Sequence, residues 1–165
     1  MTLIELMVTL SIVGVLMAIA IPTVSNYVAL QEIRGAAREV EDVLRDARDA
    51  AINEGRPHYV LFDPDPCCSY QVFEYTGSPA TWQAKEGQVD FPDSVTFSDA
   101  DVGFPGVAAS PSVEEVPENA AYFDTRGRYP FGSASQTSYT VTLHGRLDKT
   151  ETLTLYTSTG KVTGE

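Results

Sequence analysis

One carboxylate, Glu5, stands inside an otherwise apolar stretch running from Met1 to Pro22. No Lys or Arg precedes Arg34. As a helix, a stretch of this length is long enough to cross a bilayer. A carboxylate in the middle of such a helix costs roughly 2.5–3.5 kcal/mol on insertion scales, so it is usually functional and usually partnered. Two readings follow. In one, the segment is a plain N-terminal anchor with a stray acid. In the other, the anchor polymerises and another subunit neutralises Glu5. A secretory signal peptide fits poorly, because its basic start is missing and the apolar pattern runs past the Ala18-Ile19-Ala20 triplet that could imitate a cleavage site.

The remaining chemistry-bearing residues are sparse. His58 and His144 both fall in strand-like stretches, where a lone histidine reads as a surface or packing residue. No nucleophile motif, phosphate loop or metal-ligand spacing accompanies them. Asp63 and Asp65 flank Pro64, and Asp99 and Asp101 precede Gly103. Oxygen-rich loops suit calcium, but neither pair completes a loop signature, and solvated acidic turns are the simpler reading. No other cofactor is implied. Cys67 and Cys68 are adjacent. Neighbouring Cα atoms lie ~3.8 Å apart, below the usual disulfide range, so a bridge between them is strained. A strained bridge and links to a neighbouring chain both stay open, and the pair matches no redox or zinc pattern.

The helix that carries Glu5 is expected to continue past the apolar stretch. Leu30, Ile33, Ala37, Val40, Leu44, Ala47 and Ala51 recur at three-four spacing, the stripe of an amphipathic helix. The other face is charged, with opposite signs at helical spacing such as Glu41 and Arg45. Gly55 and Pro57 end it. Pro22 removes a backbone bond within the span and, with Gly14, marks a place to kink or loosen. After Pro57 the pattern alternates. Strands are expected at His58–Asp63, Ser69–Tyr75, Ala80–Ala84, Ser94–Ser98, Ala120–Asp124, Ser138–His144 and Glu151–Thr157. The acidic, Pro- and Gly-rich stretch from Asp99 to Asn119 reads as a long surface loop. Trp82 and the many tyrosines read as core or subunit-contact residues. The fold class is therefore α+β: a long N-terminal helix packed on an antiparallel β-rich head. Residues 1–28 form the hydrophobic half of the helix, 29–55 the amphipathic half and 56–165 the head.

The run Thr2-Leu3-Ile4-Glu5-Leu6-Met7-Val8 through Ala18-Ile19-Ala20-Ile21-Pro22 resembles the N-terminus of mature type IV pilins and type II secretion pseudopilins. Glu5, Gly14 and Pro22 fall where that family has them. Gly55-Arg56-Pro57 with Val60-Leu61-Phe62-Asp63-Pro64 is similar to the minor pseudopilin H and FimT (GspH/FimT-like) branch. So are Tyr122-Phe123-Asp124-Thr125-Arg126-Gly127-Arg128 and the ending Thr152-Leu153-Thr154-Leu155 into Thr159-Gly160-Lys161-Val162. The resemblance implies a prepilin peptidase that removes a leader and N-methylates residue 1. That residue is most often Phe in the family and is read here as Met1. It also implies that Glu5 pairs with the α-amine of a neighbouring subunit, although the chain's own amine lies one turn away. Leu3, Leu6, Leu10, Val13 and Leu16 would then pack the filament core, and Gly14 and Pro22 mark where the helix can melt. Implied partners are other copies of itself or other pilins and pseudopilins, the inner membrane before assembly, and an assembly machinery. The destination is an extracellular filament or a periplasmic pseudopilus.

A net charge of −12 argues against nucleic acid, since DNA binding needs clustered Lys and Arg. Near the C-terminus, where some FimT-like members bind DNA, only Arg146, Lys149 and Lys161 stand, among acids. With no catalytic set, the chain reads as a non-enzyme. The readings are a structural subunit of a surface filament, a minor pseudopilin that primes or caps a secretion pseudopilus, and a monomeric membrane-tethered binding module.

Overall fold

A computed structural model of the chain describes residues 2–65, 68–77, 80–106, 115–129 and 138–164. Among these residues one α-helix, α1 (Leu3–Glu54, 52 residues), is followed by eight strands: β1 (His58–Asp63), β2 (Ser69–Gly77), β3 (Ala80–Ala84), β4 (Val89–Asp90), β5 (Ala120–Phe123), β6 (Ser138–Gly145), β7 (Lys149–Tyr156) and β8 (Lys161–Gly164). The first sheet has the order β3-β2-β1-β5, with β4 also on β2, and the second has the order β6-β7-β8. Every pairing is antiparallel. This is the α+β architecture expected from the pattern switch at Pro57.

Both ends of α1 follow from local chemistry. Thr2 Oγ1 accepts from the Glu5 backbone N–H at 3.3 Å and Glu5 Oε2 accepts from the Thr2 N–H at 3.3 Å, a capping box. At the other end Gly55 takes the left-handed conformation (φ 64°) that closes a helix and that glycine adopts without a Cβ penalty.

The buried stripe of α1 is Ala29, Ile33, Ala36, Val40, Leu44, Ala47 and Ala51. It differs from the expected stripe at two places. Ala29 replaces Leu30, and Ala36 replaces Ala37; Leu30 and Ala37 are half-buried. The observed spacing of four, three, four, four, three, four tracks the 3.6-residue turn more evenly, and its small residues let the strands approach closely. The stripe packs on β1 and β5 of the first sheet and on β6, β7 and β8 of the second, so the helix joins both.

Three points of the expected head need correction. Ser94–Ser98 is not a strand. Its alternation is real, with Val95 and Phe97 buried, but its pairing is a single bridge from Thr96 to His144 after a turn in which Val95 N–H donates to Pro92 O. β4 and β8 were missed, because each is a short edge segment with at most one buried side chain. The stretch from Asp99 to Asn119 is only partly a surface loop. Val102 bridges to Val141 of β6, and Val102, Phe104 and Val116 are buried in the core; residues 107–114 lie outside the described part.

The core is aromatic. Phe62 stacks on Phe104, Phe104 meets Tyr129 and Tyr139, and Trp82 sits edge-on to Tyr59, Tyr75 and Tyr122. Burial raises the pKa of Tyr122, helped by the charge of Asp124, to about 12. Burial also raises Tyr129 and Tyr70, the latter helped by its hydrogen bond to Glu39. A phenol whose pKa rises on folding stabilises the fold below its ordinary value near 10. That contribution is lost as the pH climbs through the folded value. Ultraviolet titration should therefore show a set of tyrosines ionising late in the folded chain. The urea-unfolded chain should ionise all of them near pH 10, and the fold should weaken between about pH 10 and 12. Coincident titration curves for the two states would contradict this.

Candidate functional site

Thr2 to Met17 form an apolar arm. Its large side chains are exposed on every side of the helix, from Leu3 (78 %) to Met17 (59 %). The expected packing residues Leu3, Leu6, Leu10, Val13 and Leu16 are all exposed. So are Ile4, Met7, Val8, Ile12 and Val15, so the apolar surface is a full cylinder rather than one stripe. A helix apolar all round is one that lipid or other chains cover. The few hydroxyls fit the same setting: Thr9 Oγ1 donates to Leu6 O at 2.9 Å and Ser11 Oγ to Met7 O at 2.8 Å, turning their polarity back onto the backbone. Among the described side chains of the helix, the first that is buried is Ala29.

Glu5 is exposed in the first turn, where the helix dipole favours an acid. Its capping bond to Thr2 satisfies one lone pair and does not cancel the charge. The nearest Lys or Arg in sequence is Arg34, roughly 40 Å along the helix at ~1.5 Å per residue. Met1, whose amine is the other candidate partner, lies outside the described residues. The helix is continuous across Gly14 and Pro22, and a Cβ added at Gly14 would meet nothing within 4 Å. Among the described residues no helix is long and apolar enough to cross a membrane. The run of described side chains from Leu3 to Ala18 spans about 24 Å, short of the roughly 30 Å bilayer core, and the side chains of residues 19–23 are not among those described.

The other chemistry-bearing residues are scattered over the head. Cys68 is buried, with its Sγ 3.4 Å from the Phe97 N–H; Cys67, and with it the expected pair, lies outside the described residues. The two acidic pairs make local bonds. Asp63 Oδ1 accepts from the Asp65 N–H. Asp99 accepts from Asn119. Asp101 accepts from Ser98 and sits 2.9 Å from His144 Nε2. Burial works to raise the Asp101 carboxyl, and the bonds from His144 and Ser98 outweigh it and hold the group low. His58 was read as a packing or surface residue. It is fully buried, but it stands beside Glu54, Glu74 and Lys85, a grouping that spacing within one segment could not reveal.

A long helix with a free apolar arm, laid across two antiparallel sheets, defines the pilin and pseudopilin class of fold. Two solved structures of the minor pseudopilin EpsH from the type II secretion system of Vibrio cholerae share it, each with a TM-score of 0.55. They are 15% and 13% identical to this chain and cover 81% and 82% of it, in both cases 96% of the solved chain. At sequence level, two fimbrial proteins of Pseudomonas aeruginosa are 46% identical over 55 residues, 33% of this chain and 35% of each relative. The chain thus spans about a third of the length of the curated relatives it matches. No family model matches the sequence. The resemblance to type IV pilins and pseudopilins read from the sequence therefore holds at the level of the fold.

Proposed function

We propose that this chain is a structural subunit of a type IV pilus-like filament or a type II secretion pseudopilus. It polymerises through α1, with Glu5 paired to the N-terminal amine of a neighbouring subunit. The observation that carries this reading is the arm itself: a cylinder of exposed apolar side chains bearing one acid, Glu5, in its first turn. Left in water it would aggregate. Before assembly it rests in the inner membrane, and in the filament it is buried against other arms. The amine of a neighbour brings a positive charge to a helix N-terminus and cancels the carboxylate where both are poorly solvated. Leu3, Leu6, Leu10, Val13 and Leu16 pack against adjacent arms, and Gly14 and Pro22 let the helix loosen as it leaves the bilayer. A peptidase that methylates Met1 and a cytoplasmic assembly machine complete the scheme. A second reading, a minor pseudopilin that primes or caps a pseudopilus, is favoured by the extent of the match to the minor pseudopilin EpsH.

Mass spectrometry of filaments sheared from producing cells separates these. An abundant chain with a methylated Met1 supports a main filament subunit. A trace amount beside another pilin supports the priming or capping role. A chain found only in the membrane fraction, with no filament or pseudopilus partner on cross-linking, overturns both readings in favour of a monomeric anchor.

A further inference from the structure

His58 opens β1 immediately after the end of α1, and its imidazole is fully buried. Its Nδ1 lies 3.0 Å from the Arg56 carbonyl oxygen. A carbonyl only accepts, so Nδ1 carries the proton in the neutral ring and Nε2 presents a lone pair. That lone pair is not turned into apolar surroundings. It faces Glu54 Oε2 at 3.5 Å and Glu74 Oε2 at 4.0 Å. Glu54 comes from the last turn of α1, and Glu74 comes from β2, where it stands opposite His58 in the antiparallel register. The three ligand atoms lie within 4.8 Å of one another. Three electron-pair donors converging on one point repel each other unless a cation sits among them. Lys85 fills that role: its ammonium bonds Glu54 and lies 3.4 Å from His58 Nε2.

We propose that Glu54, His58 and Glu74 form a site for a divalent transition-metal ion, Zn²⁺ in the first instance, with Lys85 as the resident cation that the metal displaces. The donor set selects the metal. One imidazole with two carboxylates suits zinc, whereas calcium and magnesium take oxygen-only sets. Zinc bonds of ~2.0–2.2 Å in a tetrahedron place ligand atoms about 3.3–3.6 Å apart. The His58–Glu54 separation of 3.5 Å already falls in that range, and Glu74 Oε2, at 4.0 Å from Nε2, lies a little outside it. The Arg56 carbonyl fixes the ring as an outer partner does in known metal sites. Three protein ligands leave a fourth position for water. Bound metal would clamp the end of α1 to the β1–β2 hairpin, at the junction of helix and head.

The test is calorimetric titration of ZnCl₂ into the full chain in detergent, stripped of metal beforehand. One Zn²⁺ per chain is expected, with no comparable binding of Ca²⁺ or Mg²⁺. Glu74→Gln should weaken binding at least tenfold, and Lys85→Met should tighten it about tenfold by removing the competing ammonium. Both positions are partly exposed, and circular dichroism verifies that the variants fold. Cobalt(II) in place of zinc should show the intense visible bands of four-coordination, lost in Glu74→Gln. Saturation that is absent, or that is unchanged in Glu74→Gln, overturns the proposal and assigns any zinc uptake to scattered surface acids. An unchanged affinity in Lys85→Met overturns the displacement.

Discussion

Replacing Glu5 with alanine is expected to lower incorporation of the chain into filaments by a hundredfold or more, while its retention in the membrane fraction stays the same or improves. The two effects have opposite signs because the carboxylate plays opposite parts in the two settings. In the bilayer it is a cost, up to roughly 2.5–3.5 kcal/mol at the centre of a helix and less near its end, which alanine removes. In the assembled filament it is one half of a poorly solvated pair. Deleting one partner of such a pair typically costs 3–5 kcal/mol, because the remaining charge is stranded. At 1.4 kcal/mol per factor of ten, that is a loss of about a hundredfold or more in association.

Glu5 also closes the capping box with Thr2, so an assembly defect has a competing local explanation. Losing a cap costs about 1 kcal/mol. Two further variants separate the effects. Thr2→Ala removes the cap and keeps the charge, and it should assemble nearly normally. Glu5→Gln keeps a side chain able to complete the box and removes the charge, and it should fail like Glu5→Ala. The measurement is the ratio of sheared to membrane-bound chain by quantitative immunoblot. Normal assembly of Glu5→Gln would rule out charge pairing and leave the capping box as the reason for the acid.

The sequence made the helix legible because its signals are local and repeated. The three-four stripe and the Gly55 terminator each act within a few residues, whereas the capping box of Thr2 and Glu5 emerged only in the structure. β1 and β3 were legible to the residue, since both are dense in β-branched and aromatic side chains and bounded by turn formers. β4 and β8 were not: β4 has only two residues, and β8, Lys161–Gly164, carries one buried apolar side chain, Val162, where the equally short β5 has four buried side chains. The one-residue shifts have another cause: between Ala36 and Ala37 composition cannot say which faces the sheet, and at Ala29 packing overrides the more apolar Leu30. Glu5 stands out in sequence because it is anomalous where it sits. The grouping of Glu54, His58, Glu74 and Lys85 does not, since each residue is ordinary in its own segment. Only the helix end, the β1–β2 register and the strand beyond it bring the four together.

The same limit hides the closest approach to a glycine among the described residues, which yields the largest expected stability effect. Gly127 and Gly160 stand in turns far apart in the chain, one after β5 and the other between β7 and β8. In the structure they meet. Gly160 has φ 63°, and a Cβ there would lie 2.0 Å from the Gly127 carbonyl oxygen, the same oxygen that accepts from Arg48 Nε of α1 at 3.2 Å. The turn at Gly127 is held by Asp124, which accepts from the Arg126 and Arg128 N–H groups, and so cannot swing aside cheaply. Gly160→Ala therefore meets a left-handed backbone, costing about 1–2 kcal/mol on its own, and a clash with fixed backbone rather than a flexible side chain. A total near 3 kcal/mol is expected, or roughly 6–12 °C in melting temperature for a chain of this size. Gly35→Ala provides the contrast. Gly35 lies on the exposed face of α1 with nothing near its missing Cβ. There alanine should stabilise the helix by about 0.5–1 kcal/mol. Near-ultraviolet circular dichroism reports the aromatic core and so follows melting of the head. A melting temperature in Gly160→Ala within a degree or two of the parent would mean that the two turns can part, and that the helix does not depend on their contact to hold the two sheets together.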